Sequence, residues 1–241
     1  MANRSLEYFD KKKVVEMVGL KALVIGLAAT HFLWGLSLFL EPSRYMFKPV
    51  IPSLFALIHM FVSLLLAVGY VREGAVAGST LLAYYWFFVK PMEPIAEPQT
   101  VGILAITLAL LSRPLLKPYS NMSSGVEDVL IRLGLAYPFV EWGLDALRNP
   151  VHFKSYLSVN PLTRSLIPAG LLDHAVLSLA AVELSLAFLV LSGLFRRWTC
   201  MMVVAVLVVF SVVAGYPLAL PQNIALASAA YSRLRVTFTK G

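Results

Sequence analysis

Apolar residues along this chain come in long runs rather than at alternating positions. The runs are separated by short polar breaks, most of which contain proline. A helix needs about 20 predominantly apolar residues to cross the hydrocarbon core of a bilayer, and helices satisfy their own backbone in lipid. The pattern predicts an all-α polytopic membrane protein with about eight spans. They fall at about Leu20–Leu40, Ile51–Tyr70, Ala75–Val89, Thr100–Leu116, Val129–Leu147, Ala169–Leu194, Trp198–Tyr216 and Leu220–Leu234. Segments of about ten alternating residues, which a transmembrane barrel would need, do not occur. Composition agrees: 59% of the 241 residues are hydrophobic and 14% charged, with a mean hydropathy of +0.78.

The charge balance of +7 gains meaning once the spans are placed. With the N-terminus inside, 14 of the 20 lysines and arginines fall on the inner side, among them Lys11, Arg72, Arg113, Arg196, Arg197 and Arg233. Arg44, Lys48, Lys90, Arg148, Lys154 and Arg164 fall outside. This asymmetry predicts a multi-pass protein of the cell membrane with both termini cytoplasmic, and it explains the positive charge without nucleic acid. Residues 1–13 are polar and basic and precede a run long enough to remain as a span, so no cleaved leader is expected. The lone Cys200 excludes an intrachain disulfide and a cysteine metal cluster. No phosphate loop, nucleophile elbow or zinc motif is present, and no metal site is expected.

The chain repeats itself. Gly26–Pro42 reads GLAATHFLWGLSLFLEP and Gly134–Pro150 reads GLAYPFVEWGLDALRNP, with Gly, Leu, Ala, Trp, Gly, Leu and Pro recurring in place. His59–Arg72 aligns with Glu183–Arg196, each ending Gly-x-x-Arg, and Pro98-Gln99 aligns with Pro221-Gln222. Four spans per half give both halves one orientation, hence a parallel repeat. The expected organisation is a cytoplasmic segment 1–18, a first four-helix repeat 19–117, a linker 118–128, a second repeat 129–235 and a tail 236–241.

The second half resembles the DoxX/DoxD family of four-span membrane proteins. The residues that carry the resemblance are Arg132-Leu-Gly-Leu, Phe139-x-x-Trp-Gly-Leu, Asn149-Pro150, then Glu183, Gly193-Leu194 and Arg196. The first half departs from it, with Leu33 in place of Glu141 and His59 in place of Glu183. The resemblance implies a membrane subunit of a quinone-linked redox complex, respiratory or sulfur-oxidising. Any catalytic part would be of the thiosulfate:quinone oxidoreductase type, with quinone as cofactor and other membrane subunits as partners.

Ionisable groups at depth in a bilayer are costly and need a reason. Glu141 and Glu183 lie on antiparallel neighbouring spans at depths that differ by only about 6 Å. That spacing lets them share a pocket and exchange protons with a quinone head group; a hydrogen bond to a neighbouring helix or to Arg132 is the structural alternative. Trp34 and Trp142 fall near the outer interface, as aromatic-belt anchors or as stacking surfaces for a planar ligand. His31 and His59 lie at matching depth on neighbouring spans, a spacing that can ligate a b-type haem. Nothing in the sequence makes them face each other, so polar packing or a ligand hydrogen bond is preferred to haem. The outer connection Val151–Pro168 can dock a soluble partner or a small anion, or lie as a solvated loop on the membrane. The rival functions are a non-catalytic assembly subunit, then a small-molecule transporter.

Overall fold

In a computed structural model the backbone is described for residues 2–45, 47–89, 96–115, 120–194, 196–216 and 219–237. Side chains are described over the same stretches except 2–16, 96–98, 113–115, 120–124 and 235–237. The chain is all-helical, and no strand occurs among the described residues. The helices are α1 (Ala2–Leu40), α2 (Pro52–Ala67), α3 (Val71–Phe88), α4 (Ala96–Leu115), α5 (Ser120–Arg148), α6 (Pro150–Val159), α7 (Pro161–Leu166), α8 (Leu172–Ser192), α9 (Arg196–Ala214) and α10 (Leu220–Thr237). Each of the eight apolar runs coincides with a helix. Among the described residues three helical stretches are long and apolar enough to cross a membrane: Met17–Leu40, Ala169–Ser192 and Arg196–Ala214. Pro52–Ala67 and Gln99–Ser112 are shorter apolar helices.

Proline and glycine set the ends of these helices. Pro52, Pro150 and Pro161 sit in the first turn of α2, α6 and α7, where a missing N–H costs nothing. Gly193 ends α8 in the left-handed conformation, at φ +71°, which a residue with a Cβ adopts only at a cost. Two segments depart from the expected layout. The stretch expected as a linker lies partly outside the described residues and is helical from Ser120 onward. The connection 151–168 is folded, forming α6 and α7 on either side of Asn160. The Asn160 side chain accepts from the amides of Leu162 and Thr163 and donates to the Val213 carbonyl at 2.6 Å. Its periodicity was too short to read, and an asparagine cap joins the two turns.

The helices form a closed ring. Following the chain, α1 packs on α2, α2 on α3, α3 on α4, α4 on α5, α5 on α8, α8 on α9 and α9 on α10, which returns to α1. α4 and α10 also touch each other. Small residues make the close crossings, as helix pairs in lipid require. A Cβ on Gly26 would strike Ser228 of α10, and a Cβ on Gly134 would strike the backbone carbonyl of Gly102 in α4. Gly35 lies against the Ala56 carbonyl and Met60 of α2, and Gly143 against the Ala180 carbonyl and Leu184 of α8.

The distribution of polarity is inverted relative to a water-soluble domain. Thr30, His31, His59, Gln99, Glu183 and Asn223 are all buried, whereas Ile25, Phe61, Leu177, Phe188 (64% exposed) and Val212 face outward. Such a continuous apolar exterior is unstable in water and is what a bilayer solvates. The architecture therefore associates with a lipid bilayer.

Gly134→Val is expected to destabilise the α4–α5 crossing by about 1–3 kcal/mol, the range for forced overpacking. Gly125→Ala, where a Cβ meets nothing within 4 Å, serves as the control and is expected to be neutral or slightly stabilising. Thermal unfolding of both variants in the same detergent checks this.

Candidate functional site

The glycine crossing between α1 and α2 brings two histidines into contact. Gly35 removes the side chain that would hold the helices apart, and His31 and His59 then meet across the interface. Their Nδ1 atoms lie 3.0 Å apart and share one hydrogen bond. The other face of His59 is met by two phenols. Its Nε2 is 2.8 Å from the Tyr45 hydroxyl and 3.2 Å from that of Tyr85. Tyr45 follows a single 3-10 turn, Pro42–Arg44, that folds the chain after α1 back over the bundle, and Tyr85 projects from α3. Trp34 closes the cluster with its ring edge-on to both histidines, and Phe47 stacks on Tyr85 with ring centroids 4.6 Å apart. Tyr45, Tyr85, Trp34, His31 and His59 are all fully buried or nearly so.

This array can pass a proton. In one neutral arrangement a tyrosine hydroxyl donates to His59 Nε2, His59 Nδ1–H donates to His31 Nδ1, and His31 holds its proton on Nε2. In the other, His59 Nε2–H donates to a tyrosine oxygen, His31 Nδ1–H donates to His59 Nδ1, and His31 Nε2 is bare. Going from the first to the second moves one proton along every link, in at the tyrosines and out at His31 Nε2. That last nitrogen is buried, has no hydrogen-bond partner, and lies beside Gly78 of α3. A b-type haem does not fit between these rings. Bis-histidine ligation puts the iron and its macrocycle between the two nitrogens, and here the nitrogens are hydrogen-bonded to each other.

In the second half the position that aligns with His59 is Glu183, on α8 next to the Gly143 crossing. It is 0% exposed, and neither carboxyl oxygen has a hydrogen-bond partner. Asp145, rather than Glu141, is the carboxylate whose charge bears on Glu183. Glu141 stays partly exposed on α5, and no contact of the structure brings it to Glu183. The expected pair fails because α5 turns Trp142 and Ala146 into the core, which leaves 141 and 145 together at the edge of that face. Asp145 is in turn held by Asn149 Nδ2 at 2.8 Å and His152 Nδ1 at 3.2 Å.

Neither tryptophan is a belt anchor. Trp34 is fully buried, and Trp142 is buried edge-on against Phe139 and Phe210. Depth along the span placed them near an interface; their direction, inward at a glycine crossing, keeps them from it.

Arg132 does not reach Glu183. Its Nε and Nη2 donate to Asp128 Oδ2 at 2.8 and 2.7 Å, and its Nη1 donates to the Leu191 carbonyl at 3.1 Å, capping the end of α8. Asp128 also receives Arg196 Nη2 at 3.0 Å and Arg233 Nη1 at 2.5 Å on Oδ1, so one carboxylate joins α5, α9 and α10. Partial burial works to raise the Asp128 carboxyl, but the guanidiniums of Arg233, Arg196 and Arg132 outweigh it and hold it below the ordinary carboxylate value.

Sequence reasoning missed Tyr45, Tyr85, Asp128 and Asp145. Tyr45 lies in the turn after α1 and Asp128 in the expected linker, where polar residues carry no signal. Tyr85 and Asp145 sit within predicted spans, and Asp145 qualified by the same rule that picked out Glu141. The chain matches no protein-family model, no curated protein and no solved structure.

Two expectations follow from this geometry. Tyr45→Phe and Tyr85→Phe should each cost about 0.5–1.5 kcal/mol, because the remaining hydroxyl still serves His59. The double variant leaves a buried nitrogen unpaired and should cost more than the two combined; a double-mutant cycle by thermal unfolding tests it, and simple additivity would count against the shared acceptor. The second concerns pH. A carboxyl held below its unfolded value stabilises above the unfolded pKa and loses that contribution as pH falls through the folded one. The wild type should therefore lose melting temperature on acidification below about pH 4, whereas Asp128→Asn should start lower at pH 7 and lose less.

Proposed function

We propose that the chain is an eight-span, DoxX-like membrane subunit of a quinone-linked redox complex, built from two parallel four-helix repeats, that handles protons inside the bilayer. The observation that carries this reading is a positional one. In both halves the same place on the second helix, level with the glycine crossing of the first, holds a fully buried protonatable side chain: His59 in one half and Glu183 in the other. Buried ionisable groups at membrane depth mark proton or substrate paths by default.

The repeat is supported by matching crossings. Gly35 on Ala56 and Met60 corresponds to Gly143 on Ala180 and Leu184, and Gly69 and Gly193, aligned in sequence, both have positive φ. The helix contacts support it as well. α1 packs on α2 and α10 where α5 packs on α8 and α4, so the fourth helix of each half lies on the first helix of the other. In this reading both termini are cytoplasmic, following the positive-inside distribution. Glu183 gives or accepts the proton of a quinol or quinone, and the Tyr45–His59–His31 chain is the corresponding device in the first half. Quinone is the implied cofactor, and further membrane subunits are the implied partners. α6 and α7, with Val151, Val159 and Leu166 exposed, form the outer surface on which a soluble partner would sit.

A second reading, a non-catalytic assembly subunit, is favoured by one observation. The His31–His59–Tyr45–Tyr85 bonds tie α1, α2 and α3 to the turn after α1, as a structural clasp would.

Glu183→Gln separates the two. The isosteric amide keeps the shape and cannot transfer the proton. Turnover of a quinone analogue by the purified complex should fall about a hundredfold or more, the usual worth of a general acid or base, while subunit stoichiometry is unchanged. Undiminished turnover would remove the proton-handling role and leave the assembly subunit.

A further inference from the structure

The three arginines around Asp128 are more than one carboxylate can neutralise. The charges bearing on Arg233 are two like charges, Arg196 and Arg132, and one opposite charge, Asp128. Counted over these four side chains, two positive charges remain. Both Asp128 oxygens are already taken, Oδ2 by Arg132 and Oδ1 by Arg196 and Arg233. Yet Arg233 is only 5% exposed, and Arg196 Nε is buried with no hydrogen-bond partner. Burying unbalanced cationic donors is expensive unless an anion completes them.

An open recess lies beside these donors. It encloses about 270 Å³ including the space at its mouth; Arg196, Arg233 and Thr199 line it together with apolar residues such as Leu135, Leu189 and Val203. Its inner part has room for about one water, which is also the size of one phosphoryl oxygen. α9 begins at Arg196, so the positive end of its helix dipole lies at the same place and adds to the attraction for an anion. A guanidinium pair recognises a phosphate through parallel N–H donors, which a single ammonium cannot supply.

We propose that this recess is a binding site for a phosphate group, seated between Arg196, Arg233 and the first turn of α9, with the phosphodiester of an anionic lipid or free phosphate as its source. Basic pockets between membrane helices take lipid head groups by this chemistry. The inference rests on the bilayer association and not on the proton-handling role of Glu183. One phosphate oxygen enters the inner recess and accepts from Arg196 Nε, and the remaining oxygens stay at the mouth. Arg132 and Asp128 position the other two guanidiniums without touching the anion.

The experiment is native mass spectrometry of the whole purified chain, with phosphatidylglycerol, phosphatidylcholine or inorganic phosphate added to delipidated protein. Phosphatidylglycerol should be retained in preference to phosphatidylcholine. Arg196→Gln should weaken its retention about fivefold, the worth of one basic residue at an anionic surface, and Arg196→Lys should recover only part of it. Arg44→Gln, which removes an exposed outer charge paired with Glu41, should change nothing. Competition by millimolar inorganic phosphate would assign the site to the phosphate group alone; indifference to it would assign the lipid. Equal retention of both lipids together with no phosphate binding, or a full complement of bound phosphatidylglycerol in Arg196→Gln, would overturn the proposal. Circular dichroism of Arg196→Gln distinguishes lost binding from lost fold.

Discussion

The constraint on which everything else depends is that polar groups in this bundle have nowhere to go but inward. Much of its exterior is apolar, so a polar side chain in the middle of a long helix, such as His31, His59 or Glu183, must find company in the interior or stand alone there. Some do find it. Gln99 Nε2 donates to Asn223 Oδ1 at 2.9 Å, joining α4 to α10, and Asn223 Nδ2 donates to the Leu207 carbonyl and Ser211 Oγ. Thr30 donates to the Pro221 carbonyl at 2.5 Å. The Gln99–Asn223 and Thr30–Pro221 bonds link helices far apart in sequence, and each replaces a packing contact that would hold equally well against any apolar neighbour. Polar pairs therefore select one arrangement of the ring among many that greasy surfaces would allow.

Against that background the two halves solve the same place differently. The first half surrounds His59 with partners on both ring nitrogens, while the far nitrogen of His31 and the indole Nε1 of Trp34 have none. The second half leaves Glu183 with both oxygens unpartnered. Partnered buried groups rigidify and specify one arrangement, while unpartnered ones carry a cost. The Asp128 junction adds a third element, where charge rather than packing gathers α5, α9 and α10 beside the end of α8.

Much of the fold was legible in the residues. Runs such as Leu20–Leu40 and Ala169–Leu194 are long, uninterrupted and bounded by proline or charge, and all eight runs coincide with helices. The site was legible only in part. His31 and His59 were singled out because charge-capable groups at depth are rare. The reason they matter, Tyr45 and Tyr85, was hidden in a turn and among other aromatics. Glu183 was identified correctly as a buried group, but its neighbour was not. A difference in depth of about 6 Å between Glu141 and Glu183 says nothing about azimuth, and one residue of rotation on a helix turns a side chain by about 100°. Trp34 and Trp142 were misplaced for the same reason.

The sequence by itself determined length, spacing and kind: which stretches are helical, that the outside of the molecule is apolar, and which few groups at depth could do chemistry. These are one-dimensional facts, fixed by composition and by the rise per residue. Only the tertiary structure decided which faces meet. That is set by where two backbones can come closest, at Gly35 on α2, Gly143 on α8, Gly134 on Gly102 and Gly26 on Ser228. Those crossings fix the rotation of α1, α2, α4, α5, α8 and α10. The rotation in turn decided that His59 would have partners on both ring nitrogens, that Glu183 would have none, and that three arginines separated by up to about a hundred residues would share one aspartate.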